Sequence, residues 1–162
     1  MGAGPTTIYT LHALVDHTPG PFDLTIYEEQ TSVGRGTPYR PGWNDPAMLS
    51  NIASIEIPSL EESLIDWLEK QSKDRLRELD IEPFGLDERT FYPRIELGEF
   101  FYDQLQALLT RAQSRGITVS VKTSCRVLDA STAADGMTLT VRPLRGAAPS
   151  RQPRYRGALK IA

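Results

Sequence analysis

The opening stretch MGAGPTT constrains the fold more than any other part of the sequence. Gly2, Gly4 and the small residue Thr7 fit G-x-G-x-x-(small), with Pro5 and Thr6 inside the turn, and Thr6 to Leu14 continues with helical character. Ile8, Leu11, Leu14 and Val15 recur at helical spacing until HTPGPF ends the run. DLTIYEEQ then alternates strand-forming residues with polar ones and finishes on Glu28 and Glu29. Turn, helix, strand and acid in this order make up the second half of a βαβ unit. In such a turn the first glycine permits the tight bend and the second lets the backbone approach a phosphate. The N–H groups at the start of the helix then face the negative charge.

Composition narrows the partners. A chain of 162 residues with 40% apolar content can bury one sizeable core, which gives a single domain over residues 1–162. A net charge of −3 supplies no global attraction for nucleic acid or an anionic membrane, so a small-molecule or protein partner fits better. The oligomeric state stays open. Cys125 is the single cysteine, so neither an internal disulfide nor a cysteine metal cluster can form, and a cytoplasmic setting is the default expectation. No run of about 18 apolar residues is present. Met1, Gly2 and Thr6 match the acylation pattern M-G-x-x-x-[ST], but no polybasic segment follows and the glycines are better used by the phosphate turn.

Farther along, SVGRGTPYRPGWNDPAM holds too many breakers for regular structure and reads as a long functional loop. Ser59 and Glu62 form a capping-box pattern, which predicts a helix from about Leu60 to about Leu79 with Trp67 in its core face. A second long helix runs through YPRIELGEFFYDQLQALLTRAQSRGI, with Leu97, Phe101, Leu105, Leu108 and Ala112 on one face and Gly116 as its stop. Ile117 to Val121, Cys125 to Leu128 and Met137 to Val141 read as a three-stranded antiparallel meander, with a hairpin turn at Ala134 to Gly136. Arg142, Arg145, Arg151, Arg154 and Arg156 lie in a final segment read as a solvated loop, with a phosphate or nucleic-acid patch as the alternative that has only Tyr155 for aromatic support, before ALKIA begins another strand.

GAGPTT, IYEEQTSVGRGTPY, MLSNIASIEIP and FYPRIELGEFF, followed by GITVSV and CRVLDA, together resemble the Rossmann-type FAD/NAD(P)-binding flavoproteins, in particular a bacterial group of FAD-NAD(P)-binding proteins. The resemblance implies an α/β, doubly wound Rossmann-like domain with a small antiparallel meander, binding FAD in an extended form, with NAD(P) as a further cofactor of the full-length protein. It places Gly2, Gly4, Pro5, Thr6 and Thr7 around the pyrophosphate, Glu28 on the adenosine ribose, and the backbone near Val127 at the adenine. Arg35 and Gly36 belong to a loop close to the cofactor, and Asn51 lies near the flavin. PRIEL resembles the R-x-x-L helix start of many flavin monooxygenases, which makes Arg94 a charged cofactor contact. The function implied is the FAD-binding domain of a flavin-dependent, monooxygenase-like oxidoreductase, and the partners implied are a small-molecule cofactor and a small-molecule substrate.

Each assignment has a plain competitor. Glu28 and Glu29 also suit strand-end solvation, and Arg94 suits a surface helix cap. His12 and His17 have no paired acid or serine at catalytic spacing, so both read as structural and no catalytic residue is assigned. An NAD(P)-binding domain using the same turn, with Glu28 favouring NAD, is the second reading; a non-catalytic remnant or interaction module is the third. Thr7 stands where the family often has a third glycine. The strand expected ahead of Gly2 and the continuation expected past ALKIA lead to the expectation of a domain cut at both ends. Flavin binding from Met1 onward is then expected to be weak, and to recover when an apolar strand is placed before Gly2.

Overall fold

Proline at the first helical position and a run of apolar residues at helical spacing set helix α1, Pro5–His17, in the computed structural model, which describes residues 2–133 and 136–144. Its apolar side buries Ile8, Leu11 and Val15. Strand β1, Asp23–Tyr27, follows the Pro-Gly-Pro break. The breaker-rich segment to Pro58 forms loops and a short 3-10 turn at Ser54–Glu56.

The single helix expected from Leu60 to Leu79 is two short ones, α2 at Leu64–Glu69 and α3 at Lys73–Glu78. Two serines explain the break. Ser63, not Ser59, is the first cap: its hydroxyl accepts from Asp66 N–H, and Asp66 reciprocates. Ser72 accepts from Arg75 N–H and starts the second helix. A side-chain oxygen that satisfies a free N–H stabilises a new helix start more than it does a helix interior. Trp67 is buried as expected, edge-on to Phe100, and its indole N–H donates to Asp103.

Helix α4, Arg94–Ser114, is the long one, and its Leu97, Phe100, Leu105, Leu108 and Ala112 fill the core against α1. After Gly116 the chain enters β2, Thr118–Lys122, then β3, Cys125–Ala133, and β4, Gly136–Pro143. The meander is corrected here. β2 pairs in parallel with β1, Asp23 opposite Thr118, and only β3 and β4 form an antiparallel pair. α4 is the crossover that returns the chain to the same sheet direction, and after β2 a turn at Ser124 with φ of +52° carries the chain to the end of β1, where Cys125 N–H donates to Glu28 C=O, so β3 does not fold back along β2. The fold is α/β with small two-stranded sheets. Residues 134 and 135 of the expected hairpin turn, the arginines from Arg145 onward and the ALKIA segment lie outside the described residues.

Thr118 N–H donates to Phe22 C=O and Glu28 N–H to Lys122 C=O, so the even-numbered residues of β1 bond toward β2. The odd-numbered residues turn to the opposite edge. There Gly2 N–H donates to Tyr27 C=O at 2.8 Å, beside a trench of about 330 Å³ lined by Leu11, Leu14, Leu24, Ile26 and Leu139.

Candidate functional site

The glycine turn, the end of β1, the loop after it and the start of β3 converge on one cleft of about 630 Å³. Gly4 caps α1 without a side-chain bond, and no acidic residue occupies the first helical turn, so the positive end of the helix dipole faces the cleft. Gly2 has φ of +94°, which excludes a side chain without strain. Thr7 does more than replace a glycine: its hydroxyl donates to Gly2 C=O at 2.6 Å and ties the turn shut.

Glu28 sits beneath this turn. One carboxylate oxygen accepts from Ala3 N–H at 2.6 Å and the other from Gln30 N–H at 2.8 Å. Each oxygen retains a further lone pair for a ligand hydroxyl. Glu29, at the rim, pairs with Arg126 of β3, and that hydrogen bond holds its carboxyl below the usual carboxylate range.

The loop after β1 closes the other wall. A Cβ on Gly4 would lie 3.1 Å from the Gly36 Cα, and one on Gly36 would lie 3.0 Å from Pro5 Cδ. The two backbones are therefore in contact because neither residue carries a side chain. Beyond Gly36, Thr37, Pro38, Tyr39 and Arg40 line the cleft. The Arg40 guanidinium lies 5.1 Å from the centre of the Trp43 ring and pairs with no carboxylate among the described residues.

Gly2, Gly4, Pro5, Thr6, Thr7, Glu28, Gly36 and Val127 thus come together around the cleft. Arg35, Asn51 and Arg94 are not among its lining residues. Arg35 turns to Glu99, and Arg94 donates from Nε to Leu49 C=O at 3.2 Å while its N–H bonds Met48 C=O. Asn51 is exposed in the loop after Leu49. Gln30, Tyr39 and Arg40 also line the cleft and carry no sequence signal that singles them out. The density of breakers marks the loop of Tyr39 and Arg40 as functional, but nothing in the spacing says which of its residues line the cleft.

The sequence profile described as FAD-NAD(P)-binding matches residues 1–148. The uncharacterized protein YdhS of Escherichia coli (strain K12) is 41% identical over 129 residues, which are 80% of this chain and 24% of that protein. The chain therefore spans about a quarter of the length of this relative.

Proposed function

This chain belongs to the FAD-NAD(P)-binding family, and from that membership we propose that its cleft holds the ADP portion of FAD as part of a flavin-dependent oxidoreductase. The observation that carries the reading is the meeting of the Gly4-capped start of α1 with the Glu28 carboxylate on one cleft. The residues present fit the group. The bare glycine backbone and the helix dipole suit the diphosphate. Glu28, already oriented by two backbone donors, suits the ribose diol. Arg40 supplies the cation that the helix end alone lacks. The β3 backbone at Val127 lies across the cleft for the adenine.

In this reading the protein's work is binding and orientation, and FAD supplies the redox chemistry when bound. Thr7 keeps the turn closed so that the amides stay aimed at the phosphates. NAD at the same turn is a second reading, since Glu28 serves any free adenosine ribose and repels the phosphate of NADP.

Titration with FAD, FMN, NAD and NADP to millimolar concentration separates these readings. FAD is expected to bind and FMN, which lacks the adenosine, is not. NAD binding without FAD would replace the first reading by the second, and FMN binding as well as FAD would remove the role of Glu28. Glu28→Gln is expected to weaken FAD or ADP by about tenfold, because an amide offers one acceptor oxygen where the carboxylate offers two. Arg40→Ala is expected to weaken ADP by about tenfold and to flatten the salt dependence of binding, measured calorimetrically between low and physiological ionic strength.

A further inference from the structure

Three features outside the cleft draw attention to one side chain of α4. Arg35 donates from Nε and Nη2 to the two oxygens of Glu99, both at 2.8 Å, in a fork-on-fork pair whose members are each 19% exposed. The same guanidinium lies 4.5 Å from the centre of the Tyr102 ring, one turn farther along α4. A second cation, Arg75 of α3, lies 3.9 Å from Glu99 Oε2.

The loop that carries Arg35 is pressed against this face of α4. A Cβ on Gly34 would lie 2.7 Å from the Tyr102 Cα, and one on Gly98 would lie 2.2 Å from the Tyr39 carbonyl oxygen. On its other side the same loop meets the turn, through Gly36 against Gly4 and Pro5 and through Gly34 N–H donating to Ala3 C=O at 2.7 Å. Residues 34–39 are therefore a bracket between α4 and the glycine turn. At Gly34 and Gly98 the loop and α4 meet by packing, and the rings of Tyr102 and Phe101 contact Arg35 and Tyr39; the charged fork is the loop's one side-chain hydrogen-bonded fixture on α4 among the described residues.

We infer that Glu99 is a positioning residue which, by gripping Arg35, sets the distance between the 34–39 loop and the Gly4 turn and so tunes how firmly the cleft holds a dinucleotide. This rests on the dinucleotide reading of the cleft. It also gives Arg35 a different task from phosphate binding: its charge is already met by Glu99, and it acts through Gly34 and Gly36 on either side. Bidentate guanidinium–carboxylate pairs fix orientation as well as distance, which a lysine in place of Arg35 would not.

The test is a cycle of Arg35→Ala, Glu99→Ala and the double variant, with Glu99→Gln as a shape-preserving member. Two readouts are followed: hydrogen exchange at the Gly34 N–H, and affinity for ADP. Each single substitution is expected to cut Gly34 protection and ADP affinity by about tenfold, and the double variant to do no worse than either single one. Amides in the middle of α4, such as Leu105, are expected to keep their protection; their loss would mean general unfolding, in which case Glu99→Gln decides by the Gly34 readout alone. Unchanged protection at Gly34 overturns the inference. So does weaker ADP binding in Arg35→Ala with normal or tighter binding in Glu99→Ala, because that pattern belongs to an arginine that touches the phosphates. If Gly34 responds as expected while the unmodified protein binds no dinucleotide, the bracket stands and the functional reading falls.

Discussion

A chain in which about five or six strand-forming apolar residues, a usual strand length, replace Met1 ahead of Gly2 is expected to melt about 10 °C higher than the chain beginning at Met1. The reason lies on the second edge of β1. Gly2 N–H already bonds Tyr27 C=O, and continuing that parallel register brings the residue two positions before Gly2 to the Thr25 C=O. Side chains of such a strand would enter the trench lined by Leu11, Leu14, Leu24, Ile26 and Leu139. A net gain of about 3–4 kcal/mol, comparable to burying two large apolar side chains beyond the cost of ordering the segment, corresponds to a shift of this size in a chain of this length. The same extension should tighten FAD, because it fixes Gly2 at the mouth of the turn. A control with proline two positions before Gly2 lacks the N–H for Thr25 and is expected to lose most of the gain. Equal melting of the extended, control and unextended chains would contradict the argument.

Glu96 gives the second large effect. It lies in the first turn of α4 with 3% of its surface exposed, and one carboxyl oxygen has no hydrogen-bond partner. Burial pushes its pKa from 4.5 up to about 7, against the opposing effects of a hydrogen bond from its own backbone N–H and of the Arg75 charge. The folded state therefore holds a proton that the unfolded state has released between those two values. Stability from this group is complete below pH 4.5, falls as pH rises, and is lost above about pH 7. The stability of Glu96→Gln minus that of the unmodified protein is expected to grow by about 3 kcal/mol between pH 4.5 and pH 8. Urea unfolding at the two pH values measures it, since titrating groups that do not interact with Glu96 cancel in the difference. A difference that stays flat would place Glu96 in contact with water or an unrecognised partner.

How far the sequence discloses this molecule depends on whether local rules decide the outcome. α1, β1 and α4 follow from apolar periodicity and breakers, and they appear within a few residues of expectation because core packing and local preference agree. The 60–79 segment went astray because two serine caps compete with a continuous helix, and the apolar spacing is nearly the same in either case. β2 went astray for another reason. Alternation identifies a strand but not its partner, and its pairing with β1 is set across the whole of α4. At the cleft, the meeting of the glycine turn with Glu28 is legible, because a turn, helix and strand in that order bring the strand's end back under the turn. The place of Arg40 in the cleft wall and the capture of Arg35 by Glu99 are not, since they depend on how the loop lies against α1 and α4 across separations that no sequence period encodes.

Backbone amide shifts of 15N-labelled protein titrated with ADP bear most directly on whether the glycine turn is a dinucleotide cradle. Ala3, Gly4, Thr6, Glu28, Gly36 and Val127 are expected to move together along one saturable curve. Saturable shifts confined to the separate cavity around Ile81, Leu86 and Tyr92, or none at Gly4 and Glu28 at millimolar ADP, would contradict it.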